Sequence, residues 1–563
     1  MEKRVLLAIF LSFIVLVIYQ GIVGPPPPPP AGTTPAPAGT GVPADATAPA
    51  TAAAPLATAP VAAMDPAATD IVVETDAIRA VFSTAGATLT SWMLKGYLEG
   101  GQPLDLVPPD LPATLPRPFT LTTNDAALSA RLATAIFRPS APALSLGSTP
   151  GRLSFEYSDA ETGVNARKTF YFQPEGKPYI VKVEAAVDVG GTSRPATLTS
   201  GPAVGWGYDP ENSSAMPARA VHWHDGGVDR LEASDLADRQ RYEGEFRWAG
   251  AETQYFLNAV LPGSEAVAIE YMPISLPVPG DPSGQTRSFV SYSVTARGSV
   301  AFQFFLGPKD FDILRAVDPR LELVRAIDFG LFTWLVVPLL QALKWINRFV
   351  GNYGWSIILL TVFINLVIFP LRHRSMVSMR KMQALQPEMK AIQERYAKYK
   401  VTDPERQKMN QEMMALYRQR GVNPASGCVP MLLTMPVLFA FYSMLYAAIE
   451  LRGAPFVGWI TDLSRHDPWY VTPVLMGLSM LWQQRITPTT ADPVQQKIFM
   501  LMPVFFLAFF LWAPSGLVIY WFVSNLLAIG QQYITNRLIG APVVPVRPAV
   551  SRPAKTANSA GKS

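Results

Sequence analysis

The chain is poorly supplied with the side chains that covalent or metal chemistry draws on: it has 4 histidines and a single cysteine, Cys428. His222-Trp-His224 is the one close pair. Alternate residues of a strand share a face, so two imidazoles there could approach one metal ion. No cysteine or third histidine lies nearby in sequence, and a pair of ordinary histidines is the plainer reading. A lone cysteine excludes an intrachain disulfide and a multi-cysteine metal site. Asp229, Glu232 and Asp235 cluster as a solvated acidic face would, and no GxSxG, HExxH, P-loop or dinucleotide-binding fingerprint is present. Covalent catalysis, a metal and a cofactor are all outside the expectation.

Polarity does occur where it is costly. Thr361 and Asn365 lie in one apolar run, Thr434 and Ser443 in a second, and Tyr520, Ser524 and Asn525 in a third. Thr361/Asn365 and Tyr520/Ser524 are each four residues apart, so each pair shares one face of a helix. Polar side chains at membrane depth face a bundle interior or a wet cavity. Two readings stay open: hydrogen bonds that hold helices together, or a hydrophilic groove that receives the polar parts of a client.

The elements that must position these residues follow from composition. Hydrophobic residues make up 49% of 563, and the mean hydropathy is positive, so part of the chain is solvated by lipid. Lys3 and Arg4 precede an apolar run, residues 5–23, which reads as an uncleaved signal anchor with a cytoplasmic N-terminus. Residues 24–70 are rich in Pro, Ala and Thr, too poor in large apolar side chains to fold, and read as a disordered tether. From 71 to 326 short β-type runs separated by turn residues predict a single large antiparallel β-sandwich outside the cytoplasm, with a more helical stretch at 309–326. Residues 327–350 read as an amphipathic helix in the membrane interface. The core, 351–537, holds crossings expected near 355–371, 428–449, 469–482, 498–512 and 517–533. The fold class expected is thus a polytopic α-helical membrane protein with six transmembrane helices, five of them in the core, carrying a large β-sandwich domain.

Residues 372–423 carry 12 basic against 5 acidic side chains, and the tail, 538–563, is basic without an acid. The positive-inside rule places both in the cytoplasm. Within the loop, Met376, Met379, Met382, Leu385 and Met389 recur at helical spacing, flanked by Arg380 and Lys381. Thr402-Asp403-Pro404 supplies a cap and a first-turn proline, Met409 and Met413 continue a second helix, and Gly421 ends it. This predicts a helical hairpin. Its methionines either pack one helix on the other or offer an adaptable surface to a client, while the outward bases meet anionic lipid or a ribosome. Formal net charge is only +4, which does not call for nucleic acid.

Four segments, taken in order, resemble the YidC/Oxa/Alb family of membrane protein insertases. They are Gln411-Glu-Met-Met-Ala-Leu-Tyr417; Ala425-Ser-Gly-Cys-Val-Pro-Met-Leu-Leu-Thr-Met-Pro436; Pro488-Thr-Thr-Ala-Asp-Pro-Val-Gln-Gln-Lys497; and Pro514-Ser-Gly-Leu-Val-Ile-Tyr520 followed by Val523-Ser-Asn525. The anchor, tether and β domain match the Gram-negative members. The resemblance implies an inner-membrane protein with a periplasmic supersandwich and a five-helix core open to cytoplasm and lipid. It further implies work on nascent membrane proteins, alone or beside the Sec translocon, without a nucleotide or cofactor. Thr361 and Tyr520 fall where the family lines its groove. Asn365 departs from it, because the family commonly carries a cation five residues before the proline at 370, and Trp521 stands where many relatives have a second tyrosine. Arg485 or another basic residue would have to replace the missing charge. Competing classes are a solute transporter, which would need inverted repeats that the sequence lacks, and a membrane-anchored sugar enzyme, which would need a carboxylate pair in a cleft.

Overall fold

A computed structural model of the protein describes residues 68–99, 101–205, 216–237, 241–261, 267–279, 285–296, 300–399, 403–421, 429–487 and 493–539. The expected anchor at 1–23, nearly all of the tether and nearly all of the tail lie outside the described residues.

Among the described residues the β domain is built from three largely antiparallel sheets. A central sheet of ten strands has its core in the order Trp248–Glu252, Phe256–Leu261, Val300–Pro308, Ile180–Val189, Val164–Phe172 and Gly151–Asp159. Two five-stranded sheets accompany it, one containing Asp70–Thr75, Ile78–Ser83 and Thr88–Glu99, the other Val267–Pro277 and Thr286–Thr295. Nearly every pairing is antiparallel; Asp70–Thr75 runs parallel to Ala143–Gly147. Alternation along Val164–Phe172 shows why these residues form strands: Val164, Ala166, Lys168 and Phe170 turn inward while Asn165 and Arg167 face solvent. Trp92, Phe82, Phe119, Phe155 and Phe170 are fully buried, and the rings of Phe119 and Phe304 meet edge to face at 5.0 Å. Helix α1, Ala126–Thr134, was not expected; Asp125 caps it by accepting from the amides of Ala127 and Leu128.

Lys168 is the exception in that core. Its ammonium is fully buried and donates to the carbonyls of Gly86 at 2.6 Å, Ala87 at 3.2 Å and Phe119 at 2.7 Å. Ala87 and Phe119 hold positive φ values of 47° and 68°, a left-handed backbone that costs a non-glycine residue about 1–2 kcal/mol, so the lysine clamps two strained corners. Burial pushes the Lys168 ammonium down to about 7, against roughly 10.4 in an unfolded chain. Between these values the unfolded state binds the proton more readily, so stability rises as pH climbs from 7 toward 10 and the penalty is constant below 7. The melting temperature of the β domain is expected to rise between pH 7 and pH 9, and Lys168→Met to flatten that rise; an unchanged slope in the variant would disprove the assignment.

The strands give way at Pro308 to α2, Phe311–Val317, capped by Asp310, and a run of 3₁₀ turns leads into α3, Thr333–Val350. This helix lies within residues 327–350, the stretch read above as amphipathic. Val336, Leu339, Leu340 and Leu343 form its buried stripe, while Trp334, Trp345 and Phe349 are exposed along the other side. Gly351, at a φ of 69°, ends it in the left-handed cap that glycine favours.

Among the described residues seven further α-helices follow: α4, Tyr353–Ala384; α5, Gln386–Arg395; α6, Pro404–Gln419; α7, Val429–Ala447; α8, Val471–Ile486; α9, Pro493–Phe510; and α10, Ser515–Ile539. The segments expected near 355–371, 428–449, 469–482, 498–512 and 517–533 overlap α4, α7, α8, α9 and α10. Among the described residues two helices, Tyr353–Ala384 and Ser515–Leu538, are long and apolar enough to cross a membrane. The first runs through Pro370 without stopping, so 372–384 belongs to the end of α4 and not to a separate hairpin helix. Pro387, in the first turn of α5, marks where the helix breaks.

Candidate functional site

Thr361 and Asn365 sit on α4 as their spacing requires. Thr361 is fully buried and its Oγ1 donates back to the carbonyl of Ile357 at 2.6 Å; Asn365 Nδ2 donates to the carbonyl of Thr361 at 2.9 Å. Both therefore spend donors on their own helix, as hydroxyl and amide side chains do where no water competes. The remaining Asn365 acceptor, Oδ1, receives Arg372 Nη1 at 2.9 Å. Arg372 was not singled out in the sequence, although its distance of seven residues from Asn365 puts it on the same helix face two turns on. Arg485, the basic residue considered in its place, is exposed near the end of α8.

Helix α10 packs along α4, and α7 contacts both. Tyr520 of α10 is buried with its ring stacked on Phe441 of α7, centroids 4.2 Å apart and planes at 11°. The guanidinium of Arg372 lies within electrostatic reach of Tyr520. Ser524, one turn further along α10, has a buried hydroxyl beside the Tyr520 phenol. Thr361, Asn365, Arg372, Tyr520 and Ser524 make one polar strip within the bundle.

Other expected members lie elsewhere. Trp521 packs edge-on to Phe510 at 4.9 Å and against Phe506 at 5.6 Å, so it faces α9 and is not part of the strip. Asn525 donates to Ser479 of α8 at 3.0 Å, which is the helix-joining use of a polar side chain. Ser443, two residues beyond Phe441, is half-buried on another side of α7. The side chain of Thr434 lies outside the described residues. Phe441 was not foreseen, because an aromatic in an apolar run carries no mark of the ring it will stack on.

The hairpin forms as α5 and α6. Asp403 caps α6 by accepting from the amide of Glu405, Pro404 takes the first position, and Gly421 follows the helix at a φ of 61°. Leu385 and Tyr417 form its small core, with Met382, Met389 and Met413 packed around them. Two methionines expected to offer a client surface are thus partly used in holding the hairpin closed. Met376, Met379 and Met409 are half-buried, Lys381 is exposed, and Arg380 donates to Asn536 at the end of α10. His373 Nδ1 and Thr535 Oγ1, 3.1 Å apart, join the same two helices.

Among the described residues no group of three or more potential ligands could hold a metal. His222 is buried and packs among Tyr242, Phe246 and Tyr271, while the His224 ring lies 5.1 Å from that of Phe246. The pair shares a strand face as its spacing requires and serves as aromatic packing.

Two family models match in tandem: the YidC periplasmic domain over residues 70–342 and the 60Kd inner membrane protein over 345–541. The membrane protein insertase YidC of Geobacter sulfurreducens is 38% identical over 96% of this chain and 99% of its own length. That of Oleidesulfovibrio alaskensis is 37% identical over 82% and 85%. A solved YidC insertase with its first transmembrane domain resolved shares 18% identity over 84% of this chain and 95% of its own, with a TM-score of 0.34. With both halves of the chain matched and identity sustained almost end to end, the chain belongs to the YidC family of membrane protein insertases.

Proposed function

We propose that the protein inserts and helps to fold integral proteins of the inner membrane, by giving their polar segments a short, wet route into the bilayer. The observation that carries this reading is the polar strip of Thr361, Asn365, Arg372, Tyr520 and Ser524 inside the helical bundle. A charged residue at the bilayer centre costs at least about 2.5 kcal/mol, so polar side chains along the path lower the barrier for a small translocated loop. Length adds to the effect. Helices α8 and α9 have 16 and 18 residues, about 24 and 27 Å at 1.5 Å per residue, against a hydrocarbon core near 30 Å. Helices this short favour local thinning of the bilayer.

In this reading the chain crosses six times, the anchor at 1–23 and five core helices, with both termini and the α5–α6 hairpin in the cytoplasm and the β domain in the periplasm. Nascent membrane proteins are the clients. The Sec translocon works beside the protein on large ones, and the basic hairpin meets ribosomes or anionic lipid. No nucleotide or covalent step enters. Purified full-length protein in liposomes is expected to insert a small single-span client without nucleotide, and photocrosslinkers at Asn365, Thr434 and Tyr520 to capture it. Insertion no better than in empty liposomes, or crosslinks confined to the β domain, would sink the proposal.

A further inference from the structure

Three helices of the bundle, α4, α8 and α10, begin against one loop. Residues 454–467, between α7 and α8, fold on themselves: the Phe456 amide donates to the carbonyl of Ile460 at 3.0 Å, and the Leu463 amide to that of Ala454 at 3.0 Å. Leu463 and Asp467 are fully buried. The Asp467 carboxylate accepts from Trp459 Nε1 at 2.8 Å, the amides of Trp469 at 3.0 Å and Thr472 at 2.7 Å, and the Thr472 hydroxyl at 2.8 Å, which ties the loop to the first turn of α8. The loop's carbonyls then satisfy donors that the start of α10 would otherwise leave orphaned. Arg465 accepts from the Ser515 amide at 2.7 Å and hydroxyl at 2.6 Å, and Leu463 from the Gly516 amide at 3.0 Å. Toward α4, Asn352 works at both ends of its amide. Its Oδ1 caps the helix by accepting from the Trp355 amide at 3.1 Å, while its Nδ2 donates to the carbonyls of Phe456 at 3.1 Å and Pro455 at 3.2 Å. Two glycines let these contacts close. A Cβ on Gly354 would lie 2.0 Å from Phe456 Cδ2, and one on Gly516 would lie 3.3 Å from both the Leu463 carbonyl oxygen and Ile357 Cδ1.

Gly516 of α10 is therefore level with Ile357 of α4. The two helices leave the loop in the same direction, since His373 and Thr535 meet further along both. Four residues on from Gly516 and Ile357, about 6 Å down each helix, are Tyr520 and Thr361; eight residues on, about 12 Å down, are Ser524 and Asn365. Resting on the insertase reading above, we infer that the loop 454–467 is the register gauge of the polar strip: by gripping the first turns of α4 and α10 it sets Thr361 level with Tyr520 and Asn365 level with Ser524. Asn352 and Gly354 are its positioning residues on α4, and Gly516 is its positioning residue on α10. A polar group of a client passing between these helices meets partners from both at one depth. A slip of one turn, about 5.4 Å, would offer them in succession and leave the group bonded on one side only.

The test uses full-length protein in liposomes and a single-span client with a short uncharged translocated tail. Spin labels at Leu366 and Leu526, exposed on α4 and α10, report the spacing of the two helices in a Cys428→Ser background. Asn352→Ser keeps an acceptor for the Trp355 amide but removes both bonds to the loop. It is expected to shift the label-to-label distance by about 1.5 Å or more, the rise of one residue. The maximal insertion rate is expected to fall roughly fivefold, the worth of one neutral hydrogen bond lost in passage, while the half-saturating client concentration and the melting temperature stay unchanged. Gly354→Ala, which drives the Phe456 ring off α4, is expected to reproduce the shift and the slower rate with Asn352 intact. A label distance unmoved in both variants, or one that moves while the maximal rate stays at the wild-type value, would overturn the inference. A rate that falls only in step with the melting temperature would overturn it too, reducing the loop to a brace. Wild-type protein that inserts no client would instead refute the insertase reading on which it rests.

Discussion

Replacing Glu252 by alanine is expected to destabilise the β domain by about 3–5 kcal/mol, the cost of leaving buried charges without their counter-ion. Glu252 is fully buried and meets three cations: Arg219 and Arg230, each at 2.9 Å from Oε1, and Lys309 at 3.3 Å from Oε2. The Lys309 ammonium is itself fully enclosed. Burial pushes its pKa down, the Glu252 carboxylate opposes that shift, and the two arginines reinforce it. Without Glu252 three like charges would face each other in a site closed to water. The cluster also holds the path to the membrane, because Arg230 Nη2 donates to the carbonyls of Arg325 at 2.9 Å and Ala326 at 3.1 Å, in the turn that leads into α3. Glu252→Gln, which keeps the shape and two acceptor lone pairs, is expected to cost less than Glu252→Ala. Urea unfolding followed by tryptophan fluorescence would check both; a loss below 1 kcal/mol in the alanine variant would mean the cations reach water by another route.

Features governed by neighbours in the chain were legible before the structure. The Asp403 cap, the Gly421 terminator, the buried stripe of α3 and the shared face of Thr361 and Asn365 depend on spacing of a few residues, and all appear where spacing puts them. Features governed by distant partners were not. The alternation of Asp70–Thr75 marks it as a strand but says nothing of its parallel partner, Ala143–Gly147. Trp521 looked like a groove residue because it adjoins Tyr520, yet one residue is a 100° turn on a helix, and that turn delivers it to Phe506 and Phe510. Arg372 stands between these cases. Its spacing from Asn365 was readable, whereas its turn toward the bundle depends on what α7 and α10 place beside it.

A second cluster, contributed by three separate parts of the chain, joins the β domain to the membrane core, and breaking it is expected to uncouple the two. Lys344 of α3 contacts Asp312 at 2.7 Å, Glu450 at 2.9 Å and Asp310 at 3.4 Å. Asp310 and Asp312 belong to the cap and first turn of α2, at the end of the β domain, and Glu450 follows α7. Glu450 is nearly enclosed, with 6% of its side chain exposed, and burial raises its pKa. Burial also works against the Lys344 charge, but the carboxylates around it outweigh that and hold its pKa above the usual range. Lys344→Met keeps the length of the side chain and removes the charge. It would leave Asp310 and Glu450 facing each other in a largely enclosed site, at a cost of several kcal/mol by the same reasoning as for Glu252. The cost falls on a contact rather than on a core, so the expected signature is different. Calorimetry should show the β domain melting near its usual temperature while the helices melt earlier, and protease should reach the segment around residues 448–456 at lower concentration. Adding Glu450→Gln should recover much of the loss, since the remaining pair of partners can be neutral on one side. A single cooperative transition in Lys344→Met, shifted as a whole, would show instead that the β domain and the core stand or fall together through the neighbouring contacts, Gln254 to the carbonyl of Tyr446 at 2.6 Å and Arg452 to that of Leu98 at 3.1 Å.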